Sequence, residues 1–236
     1  MPIISSGWEL EINVKDVLFA QAADAAVLSR RSPRLIEVVE KVIEDTQSLI
    51  SPMVAFKVIE VESFQEETLT LHGGFILVNP LFKELMTNVR SVIIMVCTIG
   101  EALERVASSS ADEDITYSFA LDSAGSVAVD QLSTLACRYF ESQMNIKGWQ
   151  TTVAVTPGMI GWDLQEGQNQ VFGILADLNH GVKLTASGLM IPLKSVSIVI
   201  GAGPDVKHGG LCCDYCELKD RCQFQKQNRN GEKDWA

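Results

Sequence analysis

The segment 115–144 constrains this chain most. Read at helical period, Leu121, Val127, Val129, Leu132, Leu135, Ala136, Tyr139 and Phe140 supply it with an apolar surface. Ala120, Ser123, Ala124, Gly125, Ser126 and Ala128 are small enough to let another element approach closely. Gly148 closes this long helix. Strand-like runs lie on both sides of it, at 53–61, 68–71, 75–78 and 92–97 before it and at 151–155 and 194–200 after it. Helices and strands are interleaved without regular alternation. That pattern predicts an α+β fold rather than a doubly wound parallel sheet.

The remaining elements follow from local signals. Leu10, Ile12 and Val14 alternate with Glu9, Glu11 and Asn13, which predicts a half-buried strand over 8–14. Ser32-Pro33 starts a helix with a hydroxyl cap and a first-turn proline, and Leu35, Ile36, Val39, Val42, Ile43 and Ile50 mark its apolar face. The polar stretch 63–67 separates the first two of the four strand runs before the long helix, and Gly73-Gly74 marks a turn. Asn79-Pro80 opens a short helix ending near Met86, and 100–110 forms another before the polar break 108–114. Asp163 caps a helix through Leu178. Beyond Gly203-Pro204 the chain turns polar and glycine-rich, and 223–236 reads as a mobile tail.

Composition excludes several function classes. With 47% hydrophobic residues the 236-residue chain has enough apolar material for a core, which argues against general disorder. Its net charge of −11 repels phosphate backbones and anionic membranes, so neither nucleic acid nor a membrane is an expected partner. The longest strongly apolar run, 91–100, is about half of the roughly 20 residues a membrane helix requires. The first residues have no basic region and no long apolar segment, so no signal peptide is visible, and a soluble, cytoplasmic protein is expected.

Most familiar motifs fail on their context. Gly201-Ala-Gly203 follows an apolar strand, but the third glycine of a dinucleotide fingerprint is missing and Pro204-Asp205 comes next. His72, His180 and His208 are isolated in sequence; glycines beside His72 and His180 predict turns, and hence surface positions. Asp112, Glu113 and Asp114 lie in the polar break, where a solvated loop is the expectation. Cys97 and Cys137 sit alone in apolar segments.

The other four cysteines, Cys212, Cys213, Cys216 and Cys222, crowd into eleven residues. A disulfide framework would spread them to staple distant loops. The spacing Cys213-x-x-Cys216 lets two thiolates converge on one centre, with Cys222 returning after a turn. Soft thiolates suit an iron–sulfur cluster or zinc. Lys207, Lys219 and Arg221 would offset the charge of such a centre. Adjacent Cys212 and Cys213 do not readily bind one metal together, so Cys212 is the weakest member of the set. Free or disulfide-forming thiols are the alternative.

Several segments in order resemble a known family. They are Leu121-Asp-Ser-Ala-Gly-Ser-Val-Ala-Val-Asp130, Thr156-Pro-Gly158 with Trp162, Leu184-Thr-x-Ser187, Met190-x-Pro192 and Lys194-Ser-Val-Ser197. Together they resemble the activation (reactivation) domain of cobalamin-dependent methionine synthase, in stand-alone form. The likeness covers 100–203, while 1–99 matches in layout. It implies an α+β domain over 1–205, built as a twisted antiparallel sheet with flanking helices; the residues themselves mark 206–236 as a cysteine cluster and polar tail. It also implies S-adenosylmethionine at Thr156, Pro157 and Gly158, and docking over the corrinoid (cobalamin) of a partner methyltransferase. In the family an electron donor reduces inactive Co(II) and S-adenosylmethionine remethylates the cobalt.

The departures are specific. The family's loop reads Arg-x-[Ala/Ser]-Pro-Gly-Tyr, whereas Ala154 and Met159 stand here, and Ala186 replaces a glutamate. Losing a guanidinium that pairs with a ligand carboxylate costs on the order of 2 kcal/mol, or about 30-fold in affinity. Together with the cysteines, these departures imply a protein that supplies the electron rather than the methyl group. Two other readings remain open on the residues: a metal-stabilised, non-catalytic binding or scaffold protein on the same fold, and a methyltransferase for some other substrate.

Overall fold

The computed structural model describes residues 3–23, 32–159, 161–206 and 212–215. One curled antiparallel sheet organises them, with the path β4-β3-β2-β5-β9-β6 and β1 on the flank of β2. Its strands are β1 (Ile3–Ser6), β2 (Met53–Gln65), β3 (Thr68–Leu71), β4 (Phe75–Val78), β5 (Ser91–Thr98), β6 (Gln150–Thr151) and β9 (Ser195–Gly203). A separate hairpin pairs β7 (Lys183–Leu184) with β8 (Met190–Ile191). The helices are α1 (Val14–Ala20), α2 (Pro33–Leu49), α3 (Phe82–Leu85), α4 (Ala102–Ser110), α5 (Ile115–Ile146) and α6 (Leu164–Ile174). No described helix is long and apolar enough to cross a membrane.

All eight residues of β5 are buried, because the central strand is covered on both faces. Ile93, Met95 and Cys97 face a core shared with α1, α2, α4 and α5; Val92, Ile94 and Val96 face a second core shared with the β3–β4 hairpin, α3 and α6. The expected α+β architecture is therefore observed, with helices flanking the sheet on both sides. Burial pushes the Cys97 thiol far above its usual range, so it stays protonated and acts as a small apolar side chain.

Several expectations need correcting. Residues 7–13 form no strand. Leu10 and Ile12 are buried and Glu9 and Glu11 exposed, as the alternation predicted, but the Gln131 side chain donates to the Glu11 carbonyl at 2.9 Å. The segment thus hangs on α5 instead of a sheet edge, and Asn13 then caps α1 by accepting from Asp16 N–H. The strand near this end is β1, which pairs with β2 at Met53–Phe56. Ser32 precedes α2 without any side-chain cap bond. β2 runs through the polar stretch to Gln65, and the turn falls at Glu66, with φ of 53°. α6 stops at Ile174, short of Leu178.

Gly201 and Gly203 have a packing role. A Cβ on Gly201 would lie 2.6 Å from Val89 Cγ2 and 2.7 Å from Met86 Sδ; one on Gly203 would lie 2.6 Å from the Asn88 carbonyl oxygen. These glycines let the 86–90 segment close over the end of β9, which accounts for a motif that otherwise resembles half of a nucleotide fingerprint.

Candidate functional site

The sequence segments that resemble the reactivation family fall into three parts of the fold, linked through Lys194 and the start of α6. The first, 121–130, lies on α5. The second is the loop 156–162, which is closed by its own backbone: Met159 N–H donates to Thr156 O at 3.1 Å, Trp162 N–H to Met159 O at 2.9 Å and Gly158 N–H to Trp162 O at 3.0 Å. Thr156 N–H points at Met159 Sδ, 3.2 Å away. The amides of Thr156, Gly158 and Met159 are thus engaged within the loop. What this loop offers a ligand is carbonyl oxygen and a surface without a side chain at Gly158, where φ is +91°.

Of the predicted binding residues, Gly158 is exposed, Thr156 half-buried and Pro157 buried. Pro157 and Trp162 are the loop's anchors. They pack on Gly167 of α6, where a Cβ would sit 2.8 Å from the indole and 2.9 Å from Pro157 Cβ. Trp162 also meets Phe82 edge-on at 5.7 Å, and Gly161 lies against Pro80.

The third segment is the β7–β8 hairpin and the entry to β9. Its turn leans on the start of α6: Gln165 Nε2 donates to Ala186 O at 2.6 Å, and Gly188 packs directly on the Gln165 backbone. Thr185 braces the turn through Ser187 and Leu189 N–H, both at 3.0 Å. The Ile191–Pro192 peptide is cis. Leu189, Ile191 and Leu193 turn 50%, 52% and 62% of their surface to solvent, and Leu164, whose Cδ1 would lie 3.5 Å from a Cβ on Gly158, is 36% exposed. The alternation Leu189-x-Ile191-x-Leu193 was present in the sequence as a signal for this apolar rim, although β7–β8 itself was not predicted.

Lys194 joins the first segment to the third. Its ammonium donates to Ser126 Oγ at 2.9 Å and pairs with Asp122 at 2.8 Å, while its stem lies over Gly125. Val155 packs into the second core, and Ala154, Val196 and Val129 are half-buried against the first. Ala154 and Lys194 therefore lie on the same face of the sheet. Lys194→Ala is expected to cost about 1–2 kcal/mol, mostly through lost stem packing, because the half-exposed Asp122 rehydrates cheaply. Lys194→Met keeps the stem and is expected to cost less than about 1 kcal/mol; urea unfolding of both variants checks the difference.

The histidine expectation holds only in part. His72 is exposed and 3.2 Å from Glu62. His180, expected at the surface, is buried against the Phe172 ring, and its Nδ1 accepts from Val182 N–H at 3.3 Å. Burial pushes its pKa below the ordinary value, which keeps the imidazole neutral at pH 7. It lines a cavity of about 460 Å³ with Thr98, Glu101 and Pro192, next to the apolar rim. The neighbouring Gly181, with φ of +71°, makes the turn that was expected, but the turn carries the ring inward. His208 lies outside the described residues. Asp112, Glu113 and Asp114 are exposed as expected, and Asp114 caps α5 through Tyr117 N–H at 2.9 Å.

Cys212 and Cys213 open a short 3-10 turn, Cys212–Tyr215, whose Tyr215 hydroxyl donates to Glu84 of α3 at 3.1 Å. Cys216 and Cys222 lie outside the described residues. Among the described residues no group of three or more potential ligands is placed to hold a metal ion.

Sheet, helices and open loop together define an antiparallel α+β domain with an exposed glycine loop at one end. Among solved structures the chain is similar to the MetH reactivation domain bound to AdoHcy, with a TM-score of 0.66 and 12% identity over 98% of this chain and 86% of that one. At this identity the likeness is one of fold. No protein-family model matches the chain, and no curated protein does.

Proposed function

We propose that this chain is an accessory protein for reactivating a corrinoid-dependent methyltransferase. It docks on the partner's cobalamin domain through the loop 156–162 and the β7–β8 hairpin. The observation that carries this reading is the exposed backbone at Gly158 beside Leu164, together with the solvent-facing side chains of Leu189, Ile191 and Leu193 on the hairpin that leans on the start of α6. A flat, apolar macrocycle edge and its protein surround suit such a rim, which a lone soluble domain has little reason to expose. The fold likeness over nearly the whole chain supports the same reading.

S-adenosylmethionine supplies a methyl group when bound, and the residues fit it in part. Thr156, Pro157 and Gly158 would hold it through backbone oxygen, which attracts the positive sulfonium. Lys194, on the same sheet face as Ala154, is a cation for the ligand carboxylate that the absent arginine would otherwise meet. Asp122, paired with Lys194, is the carboxylate this reading assigns to the ligand ammonium. A site of this kind favours the cationic ligand over AdoHcy, its neutral-sulfur counterpart. Calorimetric titration should show S-adenosylmethionine binding about fivefold or more tightly than AdoHcy, and Gly158→Val should abolish both signals by covering the open face. Absence of heat from either ligand at millimolar concentration removes the methyl-donor role.

The cysteine cluster is the proposed route for the electron. Thiolates at Cys213, Cys216 and Cys222, with Cys212 as a weaker member, suit an iron–sulfur cluster or zinc, and only the former can pass an electron. Tyr215 ties the turn that contains Cys212 and Cys213 to α3, whose Phe82 packs on Trp162 of the loop. That anchorage supports delivery of reducing equivalents toward the docked partner.

A further inference from the structure

We propose a second ligand site, on the far side of the molecule's first core, for a small organic cation with methyl groups on its charged centre. A cavity of about 290 Å³ is walled by Trp8, Tyr139, Phe140 and Phe56 beside Gly7. Its rings stand at steep angles: Trp8 and Tyr139 meet at 88° with centroids 6.1 Å apart, Tyr139 and Phe140 at 78° and 5.2 Å, Phe56 and Phe140 at 72° and 4.6 Å. Phe56 and Phe140 are buried and form a floor, whereas Tyr139 is 46% exposed and forms an outer wall. The Trp8 indole is held by its Nε1 donating to the Ser5 carbonyl at 3.3 Å.

Packing alone explains Phe56 and Phe140. It does not explain two large rings held at right angles around an open notch at the surface. Aromatic faces carry negative potential, and perpendicular faces converge that potential on a common volume. The surroundings have the same sign. Trp8 also borders a second cavity, of about 690 Å³, lined by Glu9, Glu11 and Gln131. Gln131 is 6% exposed; its Nε2 is committed to the Glu11 carbonyl, and its Oε1 is buried with no partner among the described residues. Among the described residues lining the two cavities, none is cationic.

A protonated primary amine would lose strong hydration on entering an aromatic notch. A methylated ammonium is weakly hydrated, fills apolar volume and keeps its charge, so the notch selects it. The cavity is at the small end of the range for ligand sites, about 300–1,000 Å³, which limits the ligand to a headgroup and a short chain. The site is independent of the loop at Gly158 and does not rest on the corrinoid reading.

Calorimetric titration with choline and with 3,3-dimethylbutan-1-ol, its uncharged isostere, tests the proposal directly. Choline should bind about tenfold more tightly than the alcohol. Tyr139→Phe, which keeps the ring, should bind choline as the parent does, whereas Tyr139→Leu should lose about fivefold or more. Glu9→Gln with Glu11→Gln should weaken choline and leave the alcohol unchanged. Equal affinity for the two probes, no binding at 10 mM (~10⁻² M, about 2.7 kcal/mol by the affinity relation), or undiminished choline binding by Tyr139→Leu would each overturn it. Near-native circular dichroism and unfolding midpoint in Tyr139→Leu keep a folding defect from imitating the loss.

Discussion

Replacing Gly167 by valine is expected to destabilise the fold by about 3 kcal/mol, while alanine at Gly173 in the same helix is expected to stabilise it by about 0.5–1 kcal/mol. Helix propensity alone predicts a gain at both, since glycine in a helix interior is worse than alanine by about 1 kcal/mol. Packing separates them. At Gly167 a Cβ meets the Trp162 indole at 2.8 Å and Pro157 at 2.9 Å, whereas at Gly173 nothing lies within 4 Å. Overpacking a close contact costs about 1–3 kcal/mol, and valine adds two further methyl groups against a buried ring. Gly167→Ala should therefore be destabilising as well, by about 1–2 kcal/mol after its propensity gain. Urea unfolding of the three variants gives the sign at once. A Gly167→Val protein as stable as the parent would mean that Trp162 and Pro157 are not packed on α6. In that case the loop carrying Gly158 is not held as described.

The contrast between these two glycines also shows how far the sequence could be read. β3, β4, β5 and the long helix α5 were legible because each rests on local pattern, a short apolar run or a 3.6-residue period; the Asp114 cap was not, because its carboxylate read only as part of a polar break. The segment 8–14 was misread because the alternation of Leu10 and Ile12 reports burial alone. A side chain over a hundred positions away, Gln131, decides whether its backbone joins the sheet or hangs on a helix. His180 was misplaced for a related reason: a flanking glycine marks a turn, but Phe172 and the end of α6 decide which way the turn carries the ring.

At the site, Thr156-Pro-Gly158 could be picked out, but the pairing of Lys194 with Asp122 and Ser126 could not. It depends on Gly125 letting the lysine stem cross α5, and nothing within the local spacing of either segment encodes that crossing. The glycine was visible as one of a run of small residues. Its partner was not.

The pair of substitutions Ile191→Asp and Leu193→Asp is expected to weaken docking on a corrinoid-bearing partner by about 100-fold or more, with little loss of fold stability. Both side chains are more than half exposed, so the folded chain gains little from them, and surface changes of this kind stay within about 0.5 kcal/mol each. In a complex the balance is different. Covering each apolar side chain would contribute about 1.5 kcal/mol, and two aspartates in their place would have to be desolvated without partners. About 3 kcal/mol corresponds to roughly 100-fold in affinity. The measurement is the half-saturating concentration of this protein in a Co(II)-corrinoid reactivation assay, followed by the loss of Co(II) absorbance. Ile146→Asp is the control for added negative charge, because Ile146 is 77% exposed at the opposite end of α5 and carries one of the pair's two added charges away from the hairpin. If Ile146→Asp weakens reactivation as much as the pair does, net charge is responsible and the hairpin is not the docking face. If the pair alone is defective, the apolar face of the β7–β8 hairpin is the surface that meets the partner.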